Sequence, residues 1–274
     1  MSRLAIACLL CTFLSAPLAK AATVVKAKTV EVQSSDGELS ELTIDGSSLR
    51  LDLGKKQSAK MTMLFDATSR TLTAIDHSRR SFTRIDQKTA QQAQTMMGAL
   101  DRELARLPED QRAMAKDAMR RHLNSGAVRG GQLLASPKLI NTGASQKWEG
   151  YSCERWEERR GHHLIREYLV APWSELGFSK LEVVTLQEFN KLLTSFSKLS
   201  PFMSASAGNP VGDLEAFDGF PVRTKVFQGS KVTEETSVFS AQQAKVAPGF
   251  DAIPKGYEEE RLPTMSAPGR GKRR

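Results

Sequence analysis

Leu49, Leu51 and Leu53 alternate with Arg50 and Asp52, the period-two pattern of a strand with one buried face. Met61, Met63 and Phe65 repeat it. Asp36-Gly37 and Asp45-Gly46 supply the left-handed backbone positions that two-residue hairpin turns demand, and Asp66 to Arg70 makes a longer turn. Thr71 to Asp76 then faces Ser81 to Asp86 across His77-Ser78-Arg79-Arg80. Six strands at regular short spacing predict a meander.

The period then changes. From Thr89 to Leu107 the apolar positions Ala93, Met96, Met97, Leu100, Leu104 and Leu107 step by three and four, as one face of a helix requires. A second helix is predicted from Pro108, with Glu109 and Asp110 suiting its N-terminal dipole, through Met114, Ala118 and Met119 to Leu123, ended by Gly126. Strands return with Lys147 to Arg159 and His163 to Ala171 around Arg160-Gly161, and Pro172 closes the pair. Thr185 and Glu188 stand at capping-box spacing ahead of a greasy stripe of Leu186, Phe189, Leu192, Leu193, Phe196 and Leu199. After a Ser, Ala, Gly and Pro loop from Ser200 to Gly212 come strands Val222 to Gln228 and Val232 to Ser240, joined by Gly229-Ser230. A last apolar segment, Phe250 to Tyr257, is expected to pack along the sheet.

The order of these elements fixes the fold class as α+β. About ten antiparallel strands form a curved sheet or half-open β-barrel covered by a helical hairpin and a further amphipathic helix. The concave face must be buried on something, and the helices are the natural filling. The mouth of such a half-barrel is also where an apolar ligand would sit.

The N-terminus carries an address rather than an element. Ser2 and Arg3 precede an apolar run from Leu4 to Leu14, and Ala19-Lys20-Ala21 is a small-residue cleavage site, together the layout of a secretory signal peptide cut before Ala22. The run is too short to span a bilayer. Cys8 lies inside the apolar core and Cys11 follows two leucines, so neither fits a lipoprotein box, and the expected product is a released protein, periplasmic or secreted. The domain plan is therefore residues 1–21 as signal peptide, 22–260 as one half-barrel domain, and 261–274 as a flexible basic tail. A core of the needed size is within reach, because 40% of the residues are hydrophobic.

Four stretches carry a resemblance. Thr73-Ala74-Ile75-Asp76-His77-Ser78-Arg79-Arg80-Ser81-Phe82-Thr83, Gly150-Tyr151-Ser152-Cys153-Glu154, Tyr168-Leu169-Val170-Ala171-Pro172-Trp173 and Asp218-Gly219-Phe220-Pro221-Val222-Arg223 together resemble an uncharacterised family of exported bacterial proteins with a domain of unknown function. That family is distantly similar to the half-barrel lipoprotein carriers and receptors of the Gram-negative envelope. The resemblance spans most of Val24 to Tyr257 and implies a half-barrel. It rests on turn and strand phrases, so no functional residue is carried over.

Charge and chemistry add less. The net charge is +8, and losing Arg3 and Lys20 with the signal takes 39 basic residues to 37 against 31 acidic, about +6. Four of these charges, Arg270, Lys272, Arg273 and Arg274, sit in the last five residues. The body is nearly neutral, which argues against nucleic acid; the tail is expected to give at most weak, salt-sensitive contact with anionic surfaces.

With Cys8 and Cys11 in the signal, Cys153 is the sole mature thiol and is expected to be buried. His77, His122, His162 and His163 lack metal-ligand spacing and read as solvated. Met61, Met63, Met96, Met97, Met114 and Met119 fall at core positions. Glu157-Glu158 and Glu258-Glu259-Glu260 are consecutive and read as solvated charge, and no Gly-x-Ser-x-Gly elbow exposes a serine. Trp148 and Trp156 share strand parity and are placed on one wall.

No catalytic, cofactor or metal residue is nominated. The leading expectation is a non-enzymatic periplasmic binding or envelope-maintenance protein holding a lipid or acyl chain, with an envelope protein as a further partner. The alternative is a structural or protein-interaction module whose groove is filled by its own helices. An enzyme stands third.

Overall fold

The computed structural model describes residues 21–32, 37–55, 58–86, 137–197 and 214–260, together with scattered residues between 88 and 114. Its strands are β1 (Ala22–Glu31), β2 (Glu38–Asp45), β3 (Ser48–Lys55), β4 (Ser58–Asp66), β5 (Thr71–Asp76), β6 (Ser81–Ile85), β7 (Lys138–Trp148), β8 (Tyr151–Arg160), β9 (His163–Ala171), β10 (Phe220–Gln228), β11 (Lys231–Ala244) and β12 (Glu258–Glu259). One long helix, α1 (Lys180–Ser197), lies between β9 and β10.

All twelve strands belong to one open sheet, ordered β12-β6-β5-β4-β3-β2-β1-β11-β10-β9-β8-β7. It does not close into a barrel. The predicted meander is present as β1 to β6 paired in sequence order, and β1 joins the two halves by pairing with β11 over Ala22–Glu31. Every pairing is antiparallel except the two-residue β12 beside β6.

Side chains alternate between the two faces as the pleat requires. Met63 and Phe65 of β4 face the main core while Leu64 faces away; Leu169 and Ala171 of β9 face the core while Tyr168 and Val170 face away. The main core joins Leu72 on β5 to Cys153 on β8, eight strand spacings apart, and α1 packs against it. A flat sheet would hold those strands about 38 Å apart at the usual spacing, several helix diameters. The sheet must therefore curve around α1.

α1 fills the groove because its buried stripe, Val183, Leu186, Phe189, Leu192 and Leu193, meets that core. Leu186 and Phe189 have no exposed surface, and the Phe189 ring lies 5.6 Å from that of Phe65. The helix starts earlier than its sequence pattern suggests. Its capping box is Ser179 and Glu182: the Ser179 amide donates to Glu182 Oε2 at 2.7 Å, and the Glu182 amide to Ser179 Oγ at 3.4 Å. Thr185 instead donates its hydroxyl to the Gly46 carbonyl at 2.8 Å, and Glu188 pairs with Arg70 and Lys191.

Two further corrections concern the strands. Lys147 to Arg159 is not one strand, because Glu149 and Gly150 both take positive φ, 49° and 91°, and turn β7 into β8. Trp148 and Trp156 consequently lie on opposite faces, Trp148 against the main core and Trp156 in the aromatic cluster beyond it. With β7 and β12 the sheet has two strands more than the expected ten. The predicted helical hairpin falls mostly outside the described residues, as do the expected loop 200–212, the expected tail 261–274 and residues 1–20 of the expected signal peptide. Within the hairpin region Leu104 is helical and buried, whereas Met114 is 72% exposed and so is not a core residue.

The C-terminal segment straps the outer face of β4 to β6. Ile253 and Tyr257 pack on Leu64, Ile75 and Phe82, as the apolar pattern there predicts. The Glu260 amide donates to the Phe82 carbonyl at 2.8 Å, and Arg50 Nη1 to the Phe250 carbonyl at 2.8 Å.

Candidate functional site

Three places bring chemistry-bearing side chains together. The first lies under the C-terminal strap. Arg50 grips Asp52 with Nε and Nη2 at 2.7 and 3.0 Å, the Thr62 hydroxyl donates to Asp52 Oδ1, and Thr62 Oγ1 sits 2.8 Å from His77 Nε2. His77 Nδ1 lies 2.9 Å from the Tyr257 hydroxyl. Proton counting orders the chain. Thr62 has one proton and gives it to Asp52, so His77 Nε2–H donates to Thr62; Nδ1 then meets the Tyr257 hydroxyl, which donates to it whenever that nitrogen carries no proton.

His77 is thus not a solvated hairpin residue. An acid, a hydroxyl and an imidazole in a row look like the parts of a nucleophilic site, but His77 donates to Thr62 rather than taking its proton, and Asp52, which accepts that proton, is already gripped by Arg50. Thr62 is also fully buried. The arrangement ties the strap to the sheet.

The second place is the wing formed by β7, β8 and β9. Arg155 bonds Glu157 and Glu167 at 2.9 and 2.7 Å, and Arg159 bonds the other oxygen of Glu157 at 2.7 Å. On the opposite face Glu158 accepts from Arg166 at 3.0 Å and from the Tyr168 hydroxyl at 3.2 Å. Glu157 and Glu158 are each 8% exposed, so the expectation of solvated charge fails for this pair. Their burial is tolerated because each carboxylate has a guanidinium partner. Being neighbours in a strand they face opposite ways, and no acid and base converge. Glu258 and Glu259 are exposed, as expected.

Cys153 belongs to the core face of this wing. It is 2% exposed, and burial, helped by the Glu175 carboxylate, pushes its thiol up to about 11. It is a buried structural thiol rather than a nucleophile. Nearby, Arg223 stacks 4.0 Å over the Trp148 ring and donates to Glu235 at 2.8 Å. β7 is exposed along nearly its whole length, carries Lys138 and Lys147 without an acid, and has no partner on its outer edge among the described residues.

The third place is a pair of open troughs. One, of about 750 Å³, runs between the strap and the outer face of β4 to β6, lined by Thr71, Thr73, Arg84, Asp86, Asp251 and Glu259 among others. Asp86 there accepts from the Thr89 amide and hydroxyl, which hold its carboxyl below the usual range. The other, of about 710 Å³, lies beside β7 against Trp156, Lys147, Glu154 and Asp218. Both are surface features outside the groove. His162 and His163 are exposed, and among the described residues no group of three or more His, Cys, Asp or Glu is placed to hold a metal ion. His122 and the four tail residues Arg270, Lys272, Arg273 and Arg274, of which anionic contact is expected, lie outside the described residues.

Sequence pattern alone missed the Asp52–Thr62–His77–Tyr257 chain and the wing ion pairs. The period-two spacing of Asp52, Arg50 and Thr62 already put them on the outer face, but the contact with Tyr257 joins residues 180 positions apart.

No family model matches the chain, and no curated relative is found by sequence. Among solved structures the chain is similar to PNGF-II, with 7% identity over 89% of this chain and 31% of that one at a TM-score of 0.39. It is also similar to MucB, solved in complex with MucA(peri), with 9% identity over 86% of this chain and 54% of that one at a TM-score of 0.34. The chain spans about a third and about half the length of these two. At such scores neither likeness assigns a function or a partner. Among the described residues no helix is long and apolar enough to cross a membrane.

Proposed function

We propose that this chain is an exported, non-enzymatic interaction module of the cell envelope, whose groove is filled by its own helix and whose partners meet its outer surface. One observation carries the reading: α1 occupies the concave face, with Phe65, Leu169, Leu186 and Phe189 at 2% exposure or less. A carrier needs an apolar cavity that opens to its ligand. Here the apolar surface that would line it is already buried on Leu186 and Phe189. The exposed β7, with two lysines and an outer edge unpaired among the described residues, is the natural meeting surface, since an open edge strand offers backbone donors and acceptors to an extended partner.

Titration with a fluorescent fatty acid tests this. Wild-type protein is expected to take up none, whereas Phe189→Ala, which empties the helix–sheet contact, is expected to gain binding or lose about 3–5 kcal/mol of stability. Saturable uptake by the wild type would overturn the reading in favour of a lipid carrier.

A further inference from the structure

Glu182 is a buried carboxylate that no cation among the described residues pairs with. It is 2% exposed, accepts the Ser179 amide at 2.7 Å and the Thr23 amide at 3.3 Å, and has no ion-pair partner among the described residues. Two amides and the N-terminal dipole of α1 offset part of the cost of burying it. Among the described residues no full countercharge stands beside it.

The amide from Thr23 comes from the start of β1, one residue after the expected cleavage point. Ala22 and Thr23 have no exposed surface, whereas Ala21 is half-exposed. Thr23 is held further: Gln243 Nε2 donates to its Oγ1 at 2.7 Å and to the Gly177 carbonyl at 2.7 Å. The backbone nitrogen of Ala22 is one residue along from the one already bonded to Glu182, about one 3.8 Å Cα step away.

We propose that removal of residues 1–21 creates the counter-ion of Glu182: the new α-ammonium of Ala22 pairs with the buried carboxylate and locks β1 to α1. The step is hydrolysis by a membrane signal peptidase. Water adds across the Ala21–Ala22 peptide, the carboxylate leaves on Ala21, and the amine stays on Ala22 and takes up a proton at neutral pH. In the uncut chain the same nitrogen is a neutral amide, so the buried acid stays unpaired. Export processing thereby completes this corner of the fold. The inference rests on the export reading and is independent of which surface meets a partner.

A thermodynamic cycle tests it. The chain beginning at Ala22 is compared with one carrying Ser-Ala ahead of Ala22, each with and without Glu182→Gln. The extension is expected to lower the melting temperature by about 4 °C or more in the Glu182 background and to change nothing in the Gln background. An equal drop in both backgrounds, or none in either, would overturn the proposal. Intact mass of the exported protein showing a first residue other than Ala22 would overturn it as well. Should Glu182→Gln not fold, cyanate labelling of the wild type decides the question. The Ala22 amine is expected to react about tenfold slower in the folded than in the unfolded chain, the factor that one unit of stabilised protonation gives, and equal rates would sink the idea.

Discussion

Cys153 shows how far a single residue could be read ahead of the structure. With Cys8 and Cys11 expected to leave with the signal, Cys153 is predicted to be buried, and it is buried at 2% exposure with its thiol pushed up to about 11. A thiol reagent at pH 8 is expected to label the native protein about two orders of magnitude slower than the unfolded one, because only the thiolate attacks. Labelling at comparable rates would contradict the burial. Glu234 makes the opposite case, unreadable until β1 and β11 pair. It stands directly across from Glu31, and burial first, then the charges of Glu31 and Glu38 against that of Arg166, raise its carboxyl above the usual value. A raised acid binds its proton more tightly folded than unfolded, so stability falls as pH rises from the ordinary glutamate value through the raised one. Glu234→Gln is therefore expected to stabilise the protein at pH 7 by about 0.5 kcal/mol, or 1–2 °C in melting temperature, with the gain vanishing near pH 4. A pH series of thermal melts reads both limits.

At the scale of elements, whatever rested on local pattern was legible. The first six strands follow from alternation, Gly46 turns β2 into β3 with a φ of 61° while the Asp36-Gly37 turn falls partly outside the described residues, and the C-terminal apolar segment packs where its composition said. The Glu149-Gly150 turn was visible in the sequence too, but Trp148 and Tyr151 on either side read as one continuous strand. The helix start was misplaced because two capping boxes are spelled within ten residues. Only packing chooses between them: Glu182 is drawn to Ser179 and Thr23, while Thr185 is taken by Gly46. Two substitutions test the connections between elements. Gly219 lets the chain pass over β9, where a Cβ would fall on the Ala171 carbonyl oxygen, so Gly219→Ala is expected to cost about 1–3 kcal/mol in denaturant titration. Tyr257→Phe removes the donor to His77 and is expected to cost about 1 kcal/mol while leaving the sheet intact by circular dichroism. A neutral result would mean that the strap is held by Ile253 and the backbone bonds alone.

For the whole molecule the sequence foretold an unclosed, curved sheet with helical filling, but not that it would run to twelve strands. Neither β7, exposed along nearly its whole length, nor the two-residue β12 carries an apolar alternation that announces it. Nor could periodicity say whether the groove is filled or open, since a greasy helix suits both a plug and a lid. Leu186 and Phe189, fully buried against Phe65, make it a plug. The most direct test is native mass spectrometry of the purified protein. A self-filled groove predicts a single mass equal to that of the bare polypeptide, unchanged by gentle or harsh desolvation. A copurifying lipid adduct that leaves only on harsh activation would contradict it.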